Sequence, residues 1–304
     1  MKKPTRRFLD RTFTLLALIL LPATGISHEG PEHEIEELTE RITKEGESAE
    51  LLLERSVEYQ VIRKYAEAIK DLERAAELAD APAIERELGR AYFATGKTNE
   101  ALRTVSRAIN GEVKGPERGA LLITRAEILR PRKEYGKALD DADAAIQEQP
   151  ENVEWYLLRS QLQALLKLNK ERVQGLSDGI ERTGSGVLLI EWVDALIENG
   201  QYSLAQEKIE SELNASRLQS SWLIRRAKVR LATEKKEEAK ADLKSAIEEL
   251  NGRMRDADAT LLADRGLAYD LLGDKDKALK DFIAAKDKGL VDEWLQGRIN
   301  ALKK

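Results

Sequence analysis

From residue 48 onward, apolar residues recur at the three- and four-residue spacing of amphipathic helices, interrupted by short polar or glycine-bearing breaks. Successive helical segments pair into helix–turn–helix units, most plainly when an Ala-Ile/Leu-x-x pattern in the second segment is brought into register. Ala68, Ala101, Ala138, Arg172, Ala205, Ala239 and Ala278 form that column, separated by 33, 37, 34, 33, 34 and 39 residues. A small residue on the first helix of a unit, such as Gly89, Ala126, Ser160, Ala227 or Gly266, lets the second helix approach closely. A misfit there would force the pair apart or open a cavity. Gly96, Gly200 and Gly273 fall where the first helix must end, a place that favours left-handed backbone. Each hairpin carries an apolar stripe it cannot bury alone, so the units must stack and the predicted fold is all-α.

Leu88-Gly89-Arg90-Ala91-Tyr92-Phe93-Ala94-Thr95-Gly96 followed by Ala101 and Ala108 is the clearest unit, and it resembles the tetratricopeptide repeat. Arg265-Gly266-Leu267-Ala268-Tyr269 with Gly273, Ala278, Phe282 and Ala285 looks like the same motif. Two units depart from it: one has Arg172 where Ala is usual, and the next has Trp192-Val193 where Leu-Gly is usual. The resemblance implies a right-handed superhelical solenoid of about seven repeats. With the terminal segments read from their own patterns, the chain divides into residues 1–27, a signal peptide; 28–47, a flexible linker and a short N-terminal helix containing Ile35, Leu38 and Ile42; 48–288, the array; and 289–304, a C-terminal capping helix. Leu290, Val291, Trp294, Leu295, Ile299 and Leu302 supply the apolar face of that cap.

A second column runs through the repeats. Arg55, Arg125, Arg159, Arg226 and Arg265 each precede the small residue of the first helix, while Asp71, Asp141, Asp242 and Asp281 each lie three residues after the Ala of the second. Every unit with that Asp has the Arg; Arg159 alone faces a glycine, Gly175. The co-occurrence predicts a forked Arg–Asp pair bridging the helices of a hairpin, since a guanidinium matches a carboxylate with two parallel hydrogen bonds. A row of arginines binding a ligand is the alternative.

The N-terminus follows different rules. Met1-Lys2-Lys3-Pro4-Thr5-Arg6-Arg7 is basic, Phe13–Leu21 is apolar, and Ala23-Thr24-Gly25-Ile26-Ser27 is small, the layout of a secretory signal peptide with cleavage after Ser27 or Gly25. The apolar run is well short of the roughly 20 residues that span a bilayer, so a periplasmic or secreted protein with no stable membrane span is expected. Cleavage would remove Lys2, Lys3, Arg6, Arg7 and Arg11 with Asp10, taking the net charge from −5 to −9. An acidic chain repels phosphate backbones and disfavours nucleic-acid binding.

Composition narrows the chemistry. Of 304 residues 35% are charged and 5% aromatic, none is Cys, and the only histidines are His28 and His33, both ahead of the array. Thiol nucleophiles, disulfides and cysteine-bound metals are therefore excluded, and no Ser-His-Asp triad can form within the repeats. Gly184-Ser185-Gly186 fits neither a nucleophile elbow nor a phosphate loop and reads as a turn between repeats. A copper or zinc role for His28 and His33 is the alternative to a solvated tail around Gly30-Pro31. The expectation is a non-enzymatic scaffold without cofactor, the other readings being a metal-handling accessory protein or a regulatory subunit of an envelope enzyme.

The resemblance further implies that the first helices line a concave groove for extended peptides or helices of a protein partner. The groove positions are Arg86, Arg90 and Phe93 in one unit, Ile123, Glu127 and Arg130 in the next, then Gln161, Asp194 and Lys228. Arg86 and Arg90, one helical turn apart, could share one ligand carboxylate. None of these positions is Asn, so the Lys/Asn site that the family uses for C-terminal carboxylates is not implied.

Overall fold

The computed structural model describes residues 30–290 and 293–303, in which α-helices and two 3-10 turns are the only regular elements. Residues 1–27, which the sequence reading expects to be a signal peptide, lie outside the described residues, as do His28 and Val291. Contacts divide the chain into two compact units, Met1–Leu78 and Ala79–Lys304.

The first unit contains α1 (Pro31–Glu45), α2 (Ala49–Val61) and α3 (Tyr65–Leu78). Pro31 opens α1, and Gly30 stands at its N-cap, so within residues 28–47, read as a flexible linker and a short helix, the helix takes up 15 residues. The reason is local: proline has no N–H to lose and its fixed φ suits a first helical turn. Ser48 caps α2 by accepting a hydrogen bond from the Leu51 amide. Leu38, Leu51, Leu52, Ala68, Leu72 and Ala75 are buried between the three helices.

The second unit stacks six hairpins. Their helices are α4 (Pro82–Ala94) with α5 (Thr98–Ile109), α6 (Gly115–Leu129) with α7 (Tyr135–Glu148), and α8 (Val153–Leu165) with α9 (Asn169–Thr183). Next come α10 (Gly186–Glu198) with α11 (Tyr202–Ala215), α12 (Ser220–Ala232) with α13 (Lys236–Asn251), and α14 (Ala259–Leu272) with α15 (Lys275–Asp287). A last helix, α16 (Glu293–Leu302), buries Leu295 and Ile299 against Ala278, Phe282 and Ala285. Gly289 has φ +96 and Leu290 precedes this helix, so the terminal helix starts later than residue 289. Gly184, at φ +63, ends α9, and the Ser185 side chain accepts from the Leu188 amide to start α10, which makes Gly184-Ser185-Gly186 a turn between hairpins.

Packing follows residue size. The six alanines of the second-helix column have no exposed surface. A Cβ on Gly89 would stand 2.3 Å from Val105 Cγ2, one on Gly266 2.7 Å from Phe282 Cδ1, and one on Gly119 2.2 Å from Trp155 Cη2. These helices touch where the side chain is missing. The turn inside each of the seven hairpins contains one left-handed residue two positions before the second helix: Arg63, Gly96, Lys133, Lys167, Gly200, Glu234 and Gly273. Glycine is thus the residue at three of those turns, and long polar side chains adopt the same conformation at the other four.

Candidate binding groove

The arginine column brings its aspartates together in each hairpin that has them. Arg55 donates from Nε and Nη2 to the two oxygens of Asp71 at 2.7 and 2.8 Å, and Arg125 does the same to Asp141 at 2.8 and 2.6 Å. Arg226 meets Asp242 at 3.0 and 2.7 Å, and Arg265 meets Asp281 at 2.7 Å through both nitrogens. The aspartate side chains retain 5–8% of their exposure. The remaining guanidinium nitrogen, Nη1, reaches one helix back: Arg55 to Thr39, Arg125 to Ser106, Arg226 to Glu210 and Arg265 to Asn251. Each arginine therefore joins three helices, and the pairs face neighbouring helices as opposed to a ligand. The guanidinium in each case stands above its ordinary pKa chiefly because of the hydrogen bond to its aspartate. Arg159 lacks the second-helix aspartate and donates to the Gly175 carbonyl at 2.6 Å, in space that a Cβ at Gly175 would occupy, while its Nη1 lies 3.5 Å from Asp143 Oδ1 one helix back.

Arg172, standing in the alanine column, is buried. It donates to Ser160 Oγ at 2.9 Å, to Glu191 at 2.8 Å and to Glu198, so an ionic network joins α8, α9 and α10 where small-residue packing joins the other hairpins. Burial opposes its charge, but Glu191 and Glu198 outweigh that and hold its pKa above the ordinary value.

Five of the groove residues read from the sequence line a single cavity. Arg90, Phe93, Glu127, Arg130 and Gln161 surround about 420 Å³ between α4, α6 and α8, together with Pro131, Glu154, Leu157 and Leu158. Arg130 donates to Gln161 Oε1 at 3.1 Å across its rim. Glu127 is exposed at the cavity mouth, with the lining residues partly desolvating its carboxyl. That desolvation raises its pKa, against the pull of Arg90 and Arg130 and with the support of Glu154.

The remaining groove residues are engaged internally. Arg86 Nε lies 3.0 Å and Arg90 Nη1 3.5 Å from Glu87 Oε1, so the shared carboxylate that these arginines were expected to take from a ligand is supplied by the chain itself. Asp194 and Lys228 are also paired: Lys228 Nζ donates to Asp194 at 2.8 Å, and Arg225 Nη2 donates to the other oxygen at 2.6 Å. Burial pushes the Asp194 carboxyl up, but the two cations overcome it and hold the pKa below the ordinary value. Asp264 on α14 joins this cluster; desolvation raises its pKa, reinforced by Asp194 and Asp258 and opposed by Arg225 and Lys228.

Glu154, Leu157, Arg225 and Asp264 are not among the groove positions that the sequence indicates. The signal was in the register, because Leu157 stands four residues before Gln161 as Arg86 does before Arg90. Arg225 likewise stands three before Lys228, as Glu87 does before Arg90. His33 is on α1, 3.4 Å from Glu37, and His28 lies outside the described residues. Among the described residues no three His, Cys, Asp or Glu side chains are grouped to hold a metal. None of the described helices is long and apolar enough to cross a membrane.

No family model and no curated protein matches the sequence. Solved structures do match. A tetratricopeptide repeat protein from Parabacteroides merdae superposes with a TM-score of 0.58 at 22% identity, covering 84% of this chain and 99% of its own. The C-terminal part of a TPR repeat-containing protein from Cytophaga hutchinsonii gives a TM-score of 0.55 at 16% identity, covering 81% and 99%. The chain has the all-α fold of tetratricopeptide repeat proteins.

Proposed function

We propose that this protein is a non-enzymatic scaffold that holds a peptide segment of a protein partner against the first helices of residues 79–304. The observation carrying this is the cavity between α4, α6 and α8: apolar walls from Phe93, Pro131, Leu157 and Leu158 alternate with Arg90, Glu127, Arg130 and Glu154. A concave site with an apolar body and a few placed charges accepts one anchoring side chain and orients the segment around it. Three helices contribute, so the site exists only through stacking. The array has neither Cys nor His, so it offers no thiolate or imidazole for nucleophilic or acid–base chemistry.

Site-specific crosslinking tests the groove. A photoreactive amino acid in place of Phe93 should capture a partner that Leu157→Asp abolishes, while the same group in place of the exposed Lys280 should capture none. Equal adducts from both positions, or capture indifferent to Leu157→Asp, would refute the assignment.

Export is part of the same reading, supported by the basic, apolar and small segments of residues 1–27. In a host with a secretory pathway the mature mass should begin at Ile26 or His28. An intact Met1 on exported protein would count against cleavage.

A further inference from the structure

A second cavity, of about 470 Å³, lies among α13, α14 and α15 and shares no lining residue with the groove cavity. Its apolar part is built from Ile247, Leu272 and the ring of Tyr269. Around it stand Lys240, Lys244 and Lys277, with Glu248 and Asp274 as the carboxylates. Lys277 is matched: its ammonium lies 2.7 Å from Asp274 and 5.2 Å from the centroid of the Tyr269 ring. Lys240 and Lys244 are one turn apart on α13, both exposed, and neither is paired with a described residue. Two uncompensated cations therefore overhang an apolar pocket in a chain whose net charge is −5.

We propose that this surface is a second docking site, for an acidic protein segment in which an aliphatic or aromatic side chain lies beside a carboxylate. The apolar side chain would enter between Leu272 and the Tyr269 ring, and the carboxylate would meet Lys240 and Lys244. Charge complementarity selects this occupant. A basic segment would face two like charges with only Glu248 in its favour, and a purely apolar one would leave both ammonium groups unmatched at the rim. Tyr269 is held for the role by cations on its ring, Lys277 at 5.2 Å and Arg265 at 6.0 Å. The proposal does not depend on the groove reading, because the two sites have no residue in common.

Fluorescence anisotropy of the full chain with labelled peptides of alternating Glu and Leu or Phe, compared with the Lys-for-Glu counterparts, provides the test. The acidic peptides should bind at least tenfold more tightly, and raising salt from about 50 to 300 mM should weaken them, as screening requires. K240E/K244E, checked by circular dichroism, should cost at least tenfold in affinity, and Leu157→Asp should leave the affinity unchanged. Equal binding of both peptide sets would overturn the proposal, as would full affinity in K240E/K244E or loss confined to Leu157→Asp. So would lysine-dependent binding to anionic phosphatidylglycerol vesicles without peptide binding.

Discussion

Four of the seven hairpin turns place a long polar residue at φ near +60, where a side chain with a Cβ is strained: Arg63, Lys133, Lys167 and Glu234. Left-handed backbone costs an L-residue roughly 1–2 kcal/mol. Glycine removes that strain but loosens the unfolded chain by about 0.4–1 kcal/mol. Glu234→Gly should therefore stabilise by about 0.5–1 kcal/mol, and the melting temperature should rise by roughly 1–4 °C. Gly200→Lys should move it down by a similar amount. Asp264 makes a pH prediction. Its folded pKa is raised, chiefly by desolvation, so the folded state holds the proton after the unfolded state has lost it. Stability then falls as pH rises from the unfolded value through the folded one, and Asp264→Asn should be more stable than the parent at pH 7 with no advantage near pH 3. Asp194 has the opposite sign. Its lowered pKa contributes stability above the unfolded value that is lost as pH falls through the folded one, so Asp194→Asn should be destabilised at pH 7. Thermal melts at both pH values read all of these.

Pairs of elements depend on absent side chains and on one repeated ion pair. Gly119→Ala would drive a Cβ to 2.2 Å from the Trp155 ring, an overpacking that should cost about 1–3 kcal/mol by urea titration. Gly89→Ala meets Val105 at 2.3 Å, and the double variant with Val105→Ala should recover part of the loss, because the two changes share one space. Asp141→Ala strands the guanidinium of Arg125 between α6 and α7, at an expected cost of about 2–3 kcal/mol, below the figure for a fully buried pair because Arg125 keeps a quarter of its exposure. Replacing both partners, Arg125→Met with Asp141→Leu, should recover most of that loss, since a forked pair stabilises little beyond its own desolvation. These contacts were legible as columns because hairpins repeat the same geometry: Arg and Asp stand 16 residues apart in every paired unit. What receives Arg172 in the broken column was not legible. Arg172 is tolerated as a buried charge only because Ser160, Glu191 and Glu198 come from three separate positions to receive it.

Across the whole molecule, the extended core clusters each lie within residues 79–304, running from Ala101 to Ile299. A fragment of 79–304 should therefore fold on its own, keeping its helical circular dichroism per residue and a cooperative transition; a broad, non-cooperative melt would contradict this. Removing α16 should unfold the C-terminal hairpin first, because burying Leu295 and Ile299 is worth about 1.5–3 kcal/mol per side chain. Hydrogen exchange resolved by helix would show it, with protection lost in α14 and α15 before α6 and α7. The hairpin periodicity, the three glycine turns, the Gly89 and Gly266 contacts and the Arg–Asp columns were written in the sequence, because each depends on residues of one hairpin at fixed separations. Within α4 itself Glu87 takes Arg86 and Arg90. Tertiary structure alone decided that Asp194 is engaged, because Arg225 and Lys228 reach it from the next hairpin across distances set by how helices stack. It also decided where Phe93, Glu127 and Leu157 meet around one cavity, since a pocket built from three hairpins has no spacing along the chain to announce it.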